Sequence, residues 1–241
     1  MRKVFAIFLC SLSLYFPVTA FGQESDQESV QEINRASFIR QFAGDELRLW
    51  QAPFKVKRAD IKWMIPLGAA AGALLATDHA VSEDFERWEN LRPASRSVSK
   101  AASVGPLLSM TAGMWAVGKL THNSRMADTG NRALQAVAHT NLIILSLKVM
   151  TNRERPNKVD GQGQFWGGGR SFPSGHSANS WAFATVVANE YQDHKLVAIG
   201  AYSFATAVSL SRIAGQHHFP SDTLVGAAVG HLVGRYIFRR P

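Results

Sequence analysis

The sequence predicts an all-α protein, a bundle of about six core helices. The chain has 241 residues, of which 46% are hydrophobic and 18% are charged. This composition is too apolar for a disordered polyelectrolyte and sufficient to form a buried core. Most apolar segments have helical length and are bounded by Gly, Pro or charged clusters, whereas no alternating apolar and polar run favours a strand.

The six predicted core helices follow one another from residue 61 to the C-terminal end. The first covers residues 61–77 and is rich in Ala, Gly and Leu. The charged stretch from Asp78 to Lys100 predicts a loop or a surface helix. The five remaining apolar segments predict helices over residues 101–120, 133–150, 177–191, 196–210 and 223–238.

The N-terminal end has the pattern of a secretory signal peptide over residues 1–22. Arg2 and Lys3 precede an apolar run over residues 4–18, and small residues follow it. Cys10 is the single cysteine and lies in this leader, so we expect neither disulfides nor a thiol nucleophile in the mature chain. We expect residues 23–60 to form a polar lead followed by a loosely amphipathic segment. We expect residues 61–241 to form the helical domain that carries the candidate catalytic residues.

The charge and the apolar segments both bear on location. A formal net charge of +8 favours anionic partners such as phosphate groups or acidic lipid head groups, and no nucleic acid is expected. Spanning a bilayer takes roughly 20 apolar residues. Most segments are shorter or carry polar side chains such as His139 and Asn179. We expect membrane association, with a soluble or peripheral helical bundle in the periplasm as the alternative.

The signal peptide predicts export to the cell envelope, with a site that faces the periplasm. If the leader is cleaved and every later helix spans, Lys148 at the end of the third helix lies on the cytoplasmic side. A periplasmic site therefore requires a soluble chain, one early helix that does not span, or a leader that is not a signal peptide.

Three segments between Lys148 and Asp222 carry polar residues at distinctive spacings. Each residue alone has an ordinary structural interpretation: a lysine at a helix end caps or snorkels, and a Pro-Ser-Gly-His turn starts a helix. Together they form a set: Lys148 seven positions before Arg155-Pro156, then Pro173-Ser174-Gly175-His176, then Arg212 six positions before His218 and ten before Asp222.

This set offers the groups that bind a phosphate. Lys148, Arg155 and Arg212 provide cationic donors on separate segments that a fold can bring together. The Ser174 hydroxyl and the backbone N–H of Gly175 lie at a predicted helix start, where free N–H groups favour an anion. We expect the tripeptide Gly167-Gly168-Gly169 upstream to be a flexible linker.

The two histidines of the set suit an in-line displacement. We predict His218 as the nucleophile, Asp222 one turn later as the acceptor that orients its ring, and His176 as the acid that protonates the leaving oxygen. His217 is expected to have no catalytic role. No metal or other cofactor is implied, because the cationic side chains supply the charge that a divalent ion would provide.

These segments resemble the signature of the type 2 phosphatidic acid phosphatase superfamily, which includes bacterial class A acid phosphatases and vanadium-dependent haloperoxidases. The resemblance covers about residues 133–238 and implies a helical fold and phosphomonoester hydrolysis through a phosphohistidine. It assigns the nucleophile, orienting acid and general acid to His218, Asp222 and His176. It assigns phosphate binding to Lys148, Arg155, Ser174, Gly175 and Arg212.

Three alternatives remain open on the sequence alone. The substrate can be a lipid phosphate or a small soluble phosphate ester. A haloperoxidase would hold vanadate in place of phosphate. The short chain and the predicted signal peptide make this alternative less favoured than a phosphatase. A non-catalytic helical membrane protein would use the same basic residues only to bind lipid head groups.

Overall fold

A computed structural model of the chain describes residues 24–86, 89–158 and 162–240, and within these ranges the protein is all-α. The described residues form eight α-helices, two short 3-10 turns and no strand. The predicted signal peptide at residues 1–22 lies outside the described residues. The helices are α1 (Glu24–Gln51), α2 (Arg58–Glu86), α3 (Arg92–Ala101), α4 (Val104–Leu120), α5 (Ser124–Thr151), α6 (Gly175–Glu190), α7 (Lys195–Ala214) and α8 (Pro220–Arg239).

The predicted all-α class is confirmed, and each of the six apolar segments contains a helix. The polar lead is helical as well, because α1 begins at Glu24. The expectation of a loop or surface helix from Asp78 to Lys100 is wrong at its start. Helix α2 continues to Glu86, and Asp78 lies in it with 2% of its surface exposed.

The chain forms two compact units, one up to Leu49 and one over Trp50–Pro241. In the first, Phe38 and Phe42 pack with ring centroids 6.2 Å apart. In the second, α6 packs against α5, α7 and α8, while α4 packs on α5 and α3 packs on α7. The core is built largely from small residues such as Ala133, Ala178 and Ala205, which let the helices approach closely.

Three glycines four residues apart bring α8 against α6. A Cβ at Gly226 would lie 2.5 Å from the carbonyl oxygen of Ser174, and one at Gly230 would lie 2.0 Å from that of Ala178. At Gly234 the corresponding distance to the Ala182 carbonyl oxygen is 2.7 Å. Since such distances exclude any side chain, the start of α6 is fixed against α8.

Local signals set the helix ends that later form the site. Helix α5 begins where the Asn123 side chain accepts a hydrogen bond from Met126 N, and it ends at Asn152 in the left-handed region with φ 43°. Helix α8 starts at Pro220, and the Asp222 carboxylate accepts a hydrogen bond from Phe219 N at 2.9 Å.

Three described helices are long and apolar enough to cross a membrane: Arg58–Phe85 within α2, Ser124–Thr151 and Lys195–Ala214. Only 6% of the apolar window in Arg58–Phe85 is buried by the rest of the chain. Large apolar side chains are exposed on these helices, among them Ile65 and Leu196. Surfaces of this kind indicate contact with lipid, and the protein is therefore membrane-associated.

The glycine contact between α6 and α8 can be tested with Gly230→Ala. The added Cβ meets the Ala178 backbone, and we expect overpacking to cost about 1–3 kcal/mol. The midpoint of thermal unfolding in detergent should fall by several degrees. The matched control is Gly200→Ala on α7, where a Cβ meets nothing within 4 Å. A Gly230→Ala protein as stable as the Gly200→Ala protein would contradict the close approach.

Candidate active site

The ends of four helices meet where the predicted site residues lie. Lys148 is in the last turn of α5, Ser174 precedes α6, Arg212 is in the last turn of α7, and Asp222 is in the first turn of α8. The helices run alternately up and down, so two C-terminal ends and two N-terminal ends share one end of the bundle. The structure thus brings the three predicted segments together.

Lys148 is held by the loop that leads to α6. Its Nζ donates hydrogen bonds to the carbonyl oxygens of Arg170 at 2.7 Å and Ser171 at 3.1 Å. The neighbouring Thr151 hydroxyl donates to the carbonyl of Phe172 at 2.9 Å. An ammonium group has three donors. Two of them position the Lys148 side chain, and one remains for a bound anion.

The Pro173–His176 turn is fixed against the start of α8. The backbone N–H of Ser174 donates to the carbonyl oxygen of Asp222 at 2.9 Å, and Gly226 lies beneath the Ser174 backbone. The Ser174 hydroxyl is buried and has no hydrogen-bond partner among the described residues. Burying a hydroxyl without a hydrogen-bond partner costs free energy, so we expect the Ser174 hydroxyl to form a hydrogen bond with a bound ligand.

His218 lies in the loop between α7 and α8 and is 2% exposed. Its Nδ1 is 3.5 Å from Asp222 Oδ2 and 3.4 Å from the Ser171 hydroxyl. Both distances exceed those of a normal hydrogen bond. Asp222 Oδ2 is already bound by the Ser171 hydroxyl and by Phe219 N. Asp222 therefore faces the predicted ring nitrogen, with Ser171 between them as a shared partner.

A buried arginine that the sequence analysis did not single out holds the Asp222 carboxylate. Arg153 Nη1 donates to Asp222 Oδ1 at 2.7 Å and to the Ser221 hydroxyl at 2.8 Å, and Nη2 donates to Asp78 Oδ2 at 2.8 Å. Arg153 Nε donates to the carbonyl of Gly163 at 2.9 Å. The Asp78 side chain also accepts from Ser221 N at 3.0 Å.

We call Arg153, Asp78, Ser221 and Asp222 the buried ion cluster. The Arg153 guanidinium also lies 4.5 Å from the ring centroid of Phe219. Arg153 is two positions before Arg155, and Ser171 directly precedes Phe172-Pro173, so adjacency to the motif is the signal that could have found them. Asp78 carries no such signal, since it follows an ordinary apolar run.

Two of the predicted cations, Arg155 and Arg212, form no ion pair within the part of the chain that the structure describes. Among the residues that the structure describes, neither Arg155 nor Arg212 pairs with a carboxylate, and Arg212 Nε is buried without a hydrogen-bond partner. Arg212 is 6% exposed, and its carbonyl accepts from His217 N and His218 N. A buried charge without a counterion is costly, which favours an anion at this position.

Burial and these cations keep the nearby histidines neutral. Burial lowers the pKa of His218 to about 3, while its contact with Asp222 opposes the shift and the charges of Lys148 and Arg212 add to it. Burial lowers the pKa of His176 to about 4, helped by Arg212, Lys148, His217 and Arg155. Lys148 and Arg212 thus act on both rings.

The glycine tripeptide is not the flexible linker that the sequence suggested. Gly169 N donates to the carbonyl of Asn152, and a Cβ at Gly169 would lie 2.2 Å from the Arg153 carbonyl oxygen. A Cβ at Gly167 would lie 2.5 Å from the Glu154 side chain. The loop thus packs directly on the segment between Lys148 and Arg155. Over the described ranges, no three His, Cys, Asp or Glu side chains are grouped so that they could hold a metal ion.

At one end of the helical bundle, cations that form no ion pair among the described residues lie near a histidine that faces a carboxylate, and such an arrangement suits an anion. Comparison with known proteins gives a family match. Residues 130–241 match the model of the PAP2 superfamily. The matched part of the chain contains all the site residues that the sequence predicted, from Lys148 to Asp222.

Individual proteins are similar to different parts of this chain. A lipid A 1-phosphatase of Porphyromonas gingivalis is 40% identical over 79 residues, which are 30% of this chain and 18% of that protein. The solved transmembrane PAP2 type phosphatidylglycerolphosphate phosphatase from Bacillus subtilis superimposes with a TM-score of 0.57 at 24% identity, covering 73% of this chain and 91% of that one. Aquifex aeolicus LpxE gives 0.53 at 22% identity, covering 66% and 94%. Both structures share the fold.

The depressed pKa of His218 predicts a loss of stability in acid. Its pKa is about 6.5 in an unfolded chain and about 3 in the folded protein. The stability that its neutral form provides is complete above the unfolded pKa and is lost as pH falls through the range between the two values. From about pH 7.5 to about pH 5, the free energy of unfolding should fall by about 2 kcal/mol on account of this group.

The measurement is thermal unfolding in detergent at both pH values, for the unmodified protein and for His218→Asn. The variant lacks the titrating ring, so its loss of stability in acid should be smaller. The same acid sensitivity in both proteins would show that His218 is not held neutral by the fold.

Proposed function

We propose that this protein is a metal-independent phosphatase that hydrolyses phosphomonoesters, with lipid phosphates as its substrates, through a phosphohistidine. The observation that carries the proposal is the meeting of Lys148, Arg155 and Arg212 beside a neutral, carboxylate-backed His218 at one end of the bundle. Within the described ranges these three cationic groups form no ion pair with a carboxylate, and such a group of charges suits a phosphate dianion.

In the proposed complex, the cations and the start of α6 bind the phosphate oxygens. Arg155 and Arg212 can each bind two oxygens, and Lys148 has a donor left after its two carbonyl bonds. The unpartnered Ser174 hydroxyl and the backbone N–H of Gly175 complete the cradle. The cradle holds the phosphoryl group in line with His218, and its fixed donors surround the oxygens throughout the transfer, so little reorganisation is needed as the bond to the leaving group breaks.

His218 acts as the nucleophile in this proposal. Its Nδ1 faces Asp222 and Ser171, so Nε2 is the nitrogen that remains for attack. A bond forms between Nε2 and phosphorus as the bond from phosphorus to the leaving oxygen breaks. The ring becomes cationic at that moment, and the Asp222 carboxylate, fixed by Arg153, stabilises it.

His176 is the proposed acid. Without an anion, burial lowers the pKa of His176 to about 4, and the positive charges of Arg212, Lys148 and Arg155 act in the same direction. A bound phosphate dianion neutralises those groups and raises the pKa of His176. The His176 ring is therefore protonated at the stage when the leaving oxygen needs a proton. The neutral ring then takes a proton from the water that attacks the phosphohistidine.

Two observations support a lipid as the natural substrate. The three long apolar helices expose side chains to a bilayer, and α5 and α7 end with the site residues Lys148 and Arg212. The relatives described above carry names of lipid phosphatases. We also propose that the site faces the periplasm, on the basis of the leader at residues 1–22, which predicts export.

The test measures phosphate release from phosphatidic acid by the full chain, in EDTA, after extraction of carbonate-washed membranes with detergent. The unmodified protein should release phosphate, and His218→Asn should reduce kcat by on the order of 10³-fold or more. His194→Asn is the matched control, because His194 is exposed at the start of α7. Equal rates in all three proteins, or no release by any, would overturn the proposal.

The role of His176 predicts a dependence on the leaving group. His176→Ala should lower kcat by about 10²-fold or more for phosphatidic acid, whose alkoxide must be protonated. The loss for p-nitrophenyl phosphate should be much smaller, since nitrophenolate leaves without a proton. An equal loss on both substrates would exclude His176 as the acid.

A further inference from the structure

The most deeply buried side chains of α2 are polar. Of the side chains from Arg58 to Phe85, two are buried, and these are Asp78 and Ser82, which lie one turn apart. The apolar neighbours Leu74 and Val81 are only half-buried. Helix α2 packs against α7 and α8, and its closest contacts with them are therefore polar contacts near one end of the bundle.

A carboxylate at this position is unusual. Asp78 lies within Arg58–Phe85, which is long and apolar enough to cross a membrane. Ionisable side chains are rare in such segments, because a charge away from water costs free energy, and those that occur commonly have a functional role. Neutral polar side chains are sufficient to hold one membrane helix against another. The charge of Asp78 therefore needs an explanation beyond packing.

The Asp78 carboxylate contacts the start of α8. Its Oδ1 accepts a hydrogen bond from Ser221 N at 3.0 Å, and its Oδ2 accepts from the Ser221 hydroxyl and from Arg153 Nη2, the latter at 2.8 Å. One turn later on α2, the carbonyl oxygen of Ser82 accepts from Gln216 Nε2 at 2.8 Å. Helix α2 thus contacts both the loop that leads to α8 and the first turn of α8.

Two carboxylates share the Arg153 guanidinium. The distance from Nη1 to Asp222 Oδ1 is 2.7 Å, and the distance from Nη2 to Asp78 Oδ2 is 2.8 Å. All three side chains are buried, so water and salt screen their charges little. One guanidinium and two carboxylates leave this group with one formal negative charge while the His218 ring is neutral.

This negative charge matches the cation that the proposed reaction creates. Burial raises the pKa of Asp222, but its contacts with His218 and the Arg153 charge lower that pKa further, so the carboxylate is ionised. Its Oδ2 lies 3.5 Å from His218 Nδ1. With a neutral side chain at position 78, Arg153 would balance the Asp222 charge. The cationic ring would then lack a counterion.

We propose that Asp78 is a positioning residue of the active site, which makes α2 a fourth segment of that site. The Asp78 carboxylate acts through Arg153: it balances the guanidinium charge and leaves Asp222 to stabilise the cationic His218 ring. The inference rests on the proposed function. It adds a residue that lies outside residues 130–241, the range that matches the family model.

The alternative is that Asp78 only fastens α2 to the bundle. A structural link of that kind predicts a lower unfolding temperature but an unchanged kcat for the protein that remains folded. The proposal predicts a loss of kcat at nearly constant KM, because Asp78 forms its hydrogen bonds and ion pair with Ser221 and Arg153 rather than with the groups proposed to bind phosphate.

The first variant is Asp78→Asn, and the matched control is Glu83→Gln, which removes an exposed carboxylate from the same helix. Both are compared with the unmodified full chain on phosphatidic acid in detergent, below the unfolding temperature of each protein. We expect Asp78→Asn to lower kcat by on the order of 10²-fold and to change KM by less than about threefold. Glu83→Gln should change neither constant. An unchanged kcat in folded Asp78→Asn would overturn the proposal.

The double variant Asp78→Asn with Arg153→Gln separates charge from fastening. It removes the guanidinium together with the carboxylate that balances it, so Asp222 again has its charge available for the His218 ring. We expect kcat to rise by about tenfold over that of Asp78→Asn alone. A structural link is not restored when its second end is removed, so an equal or lower kcat in the double variant would overturn the proposal.

The double variant also serves if Asp78→Asn alone does not fold. The kcat of the double variant should then lie within about tenfold of the unmodified value. A loss of about 10²-fold or more in the folded double variant would overturn the proposal, because Asp222 alone would not be sufficient for the ring.

Failure of the proposed function would give a different result, namely no phosphate release by the unmodified protein. Asp78 is then tested by binding, with vanadate and inorganic phosphate as probes and the rise in unfolding temperature as the signal. A bond from vanadium to His218 Nε2 makes the ring cationic, whereas bound phosphate does not. Asp78→Asn should weaken vanadate binding by about tenfold and leave phosphate binding nearly unchanged. Equal effects on both anions, or no effect on either, would overturn the role of Asp78. No vanadate binding by the unmodified protein would overturn both proposals.

Discussion

The site depends on the burial of one guanidinium group. Arg153 is 2% exposed and bridges Asp78 on α2 to Asp222 and Ser221 at the start of α8. Removing one partner from such a cluster leaves an uncompensated buried charge, which costs about 3–5 kcal/mol. The buried ion cluster therefore fixes the Asp222 carboxylate, and through it the environment of the His218 ring. Ser171 connects the same carboxylate to the loop that holds Lys148.

Backbone contacts position the rest of the site. The glycines at 226, 230 and 234 bring α8 against α6, and Ser174 N bonds to the Asp222 carbonyl. The proposed cradle and the proposed nucleophile are thus tied together by rigid elements, so little reorganisation is needed when an anion binds. Among the described residues, Arg155 and Arg212 form no ion pair and the Ser174 hydroxyl has no hydrogen-bond partner, which costs free energy. A bound dianion would pair with these groups and raise the depressed histidine pKa values.

The sequence allowed the helices and the motif residues to be predicted, because both depend on local patterns. Apolar runs between breakers gave the six core helices, and residue spacing gave Lys148, Arg155, His176, Arg212, His218 and Asp222. The bond between Asp78 and Ser221 spans 143 positions and could not be predicted, since neither residue has a local pattern that requires the other. The tripeptide Gly167-Gly168-Gly169 was misread because close backbone packing and flexibility have the same sequence signal.

The most direct measurement of the central claim is a crystal structure of the full protein with vanadate, which mimics the phosphoryl group in transfer. The account predicts a bond between vanadium and His218 Nε2, with Lys148, Arg155 and Arg212 on the vanadate oxygens and Asp222 still bound to Arg153. Vanadate held away from His218, or bonded to another side chain, would contradict the proposed phosphohistidine.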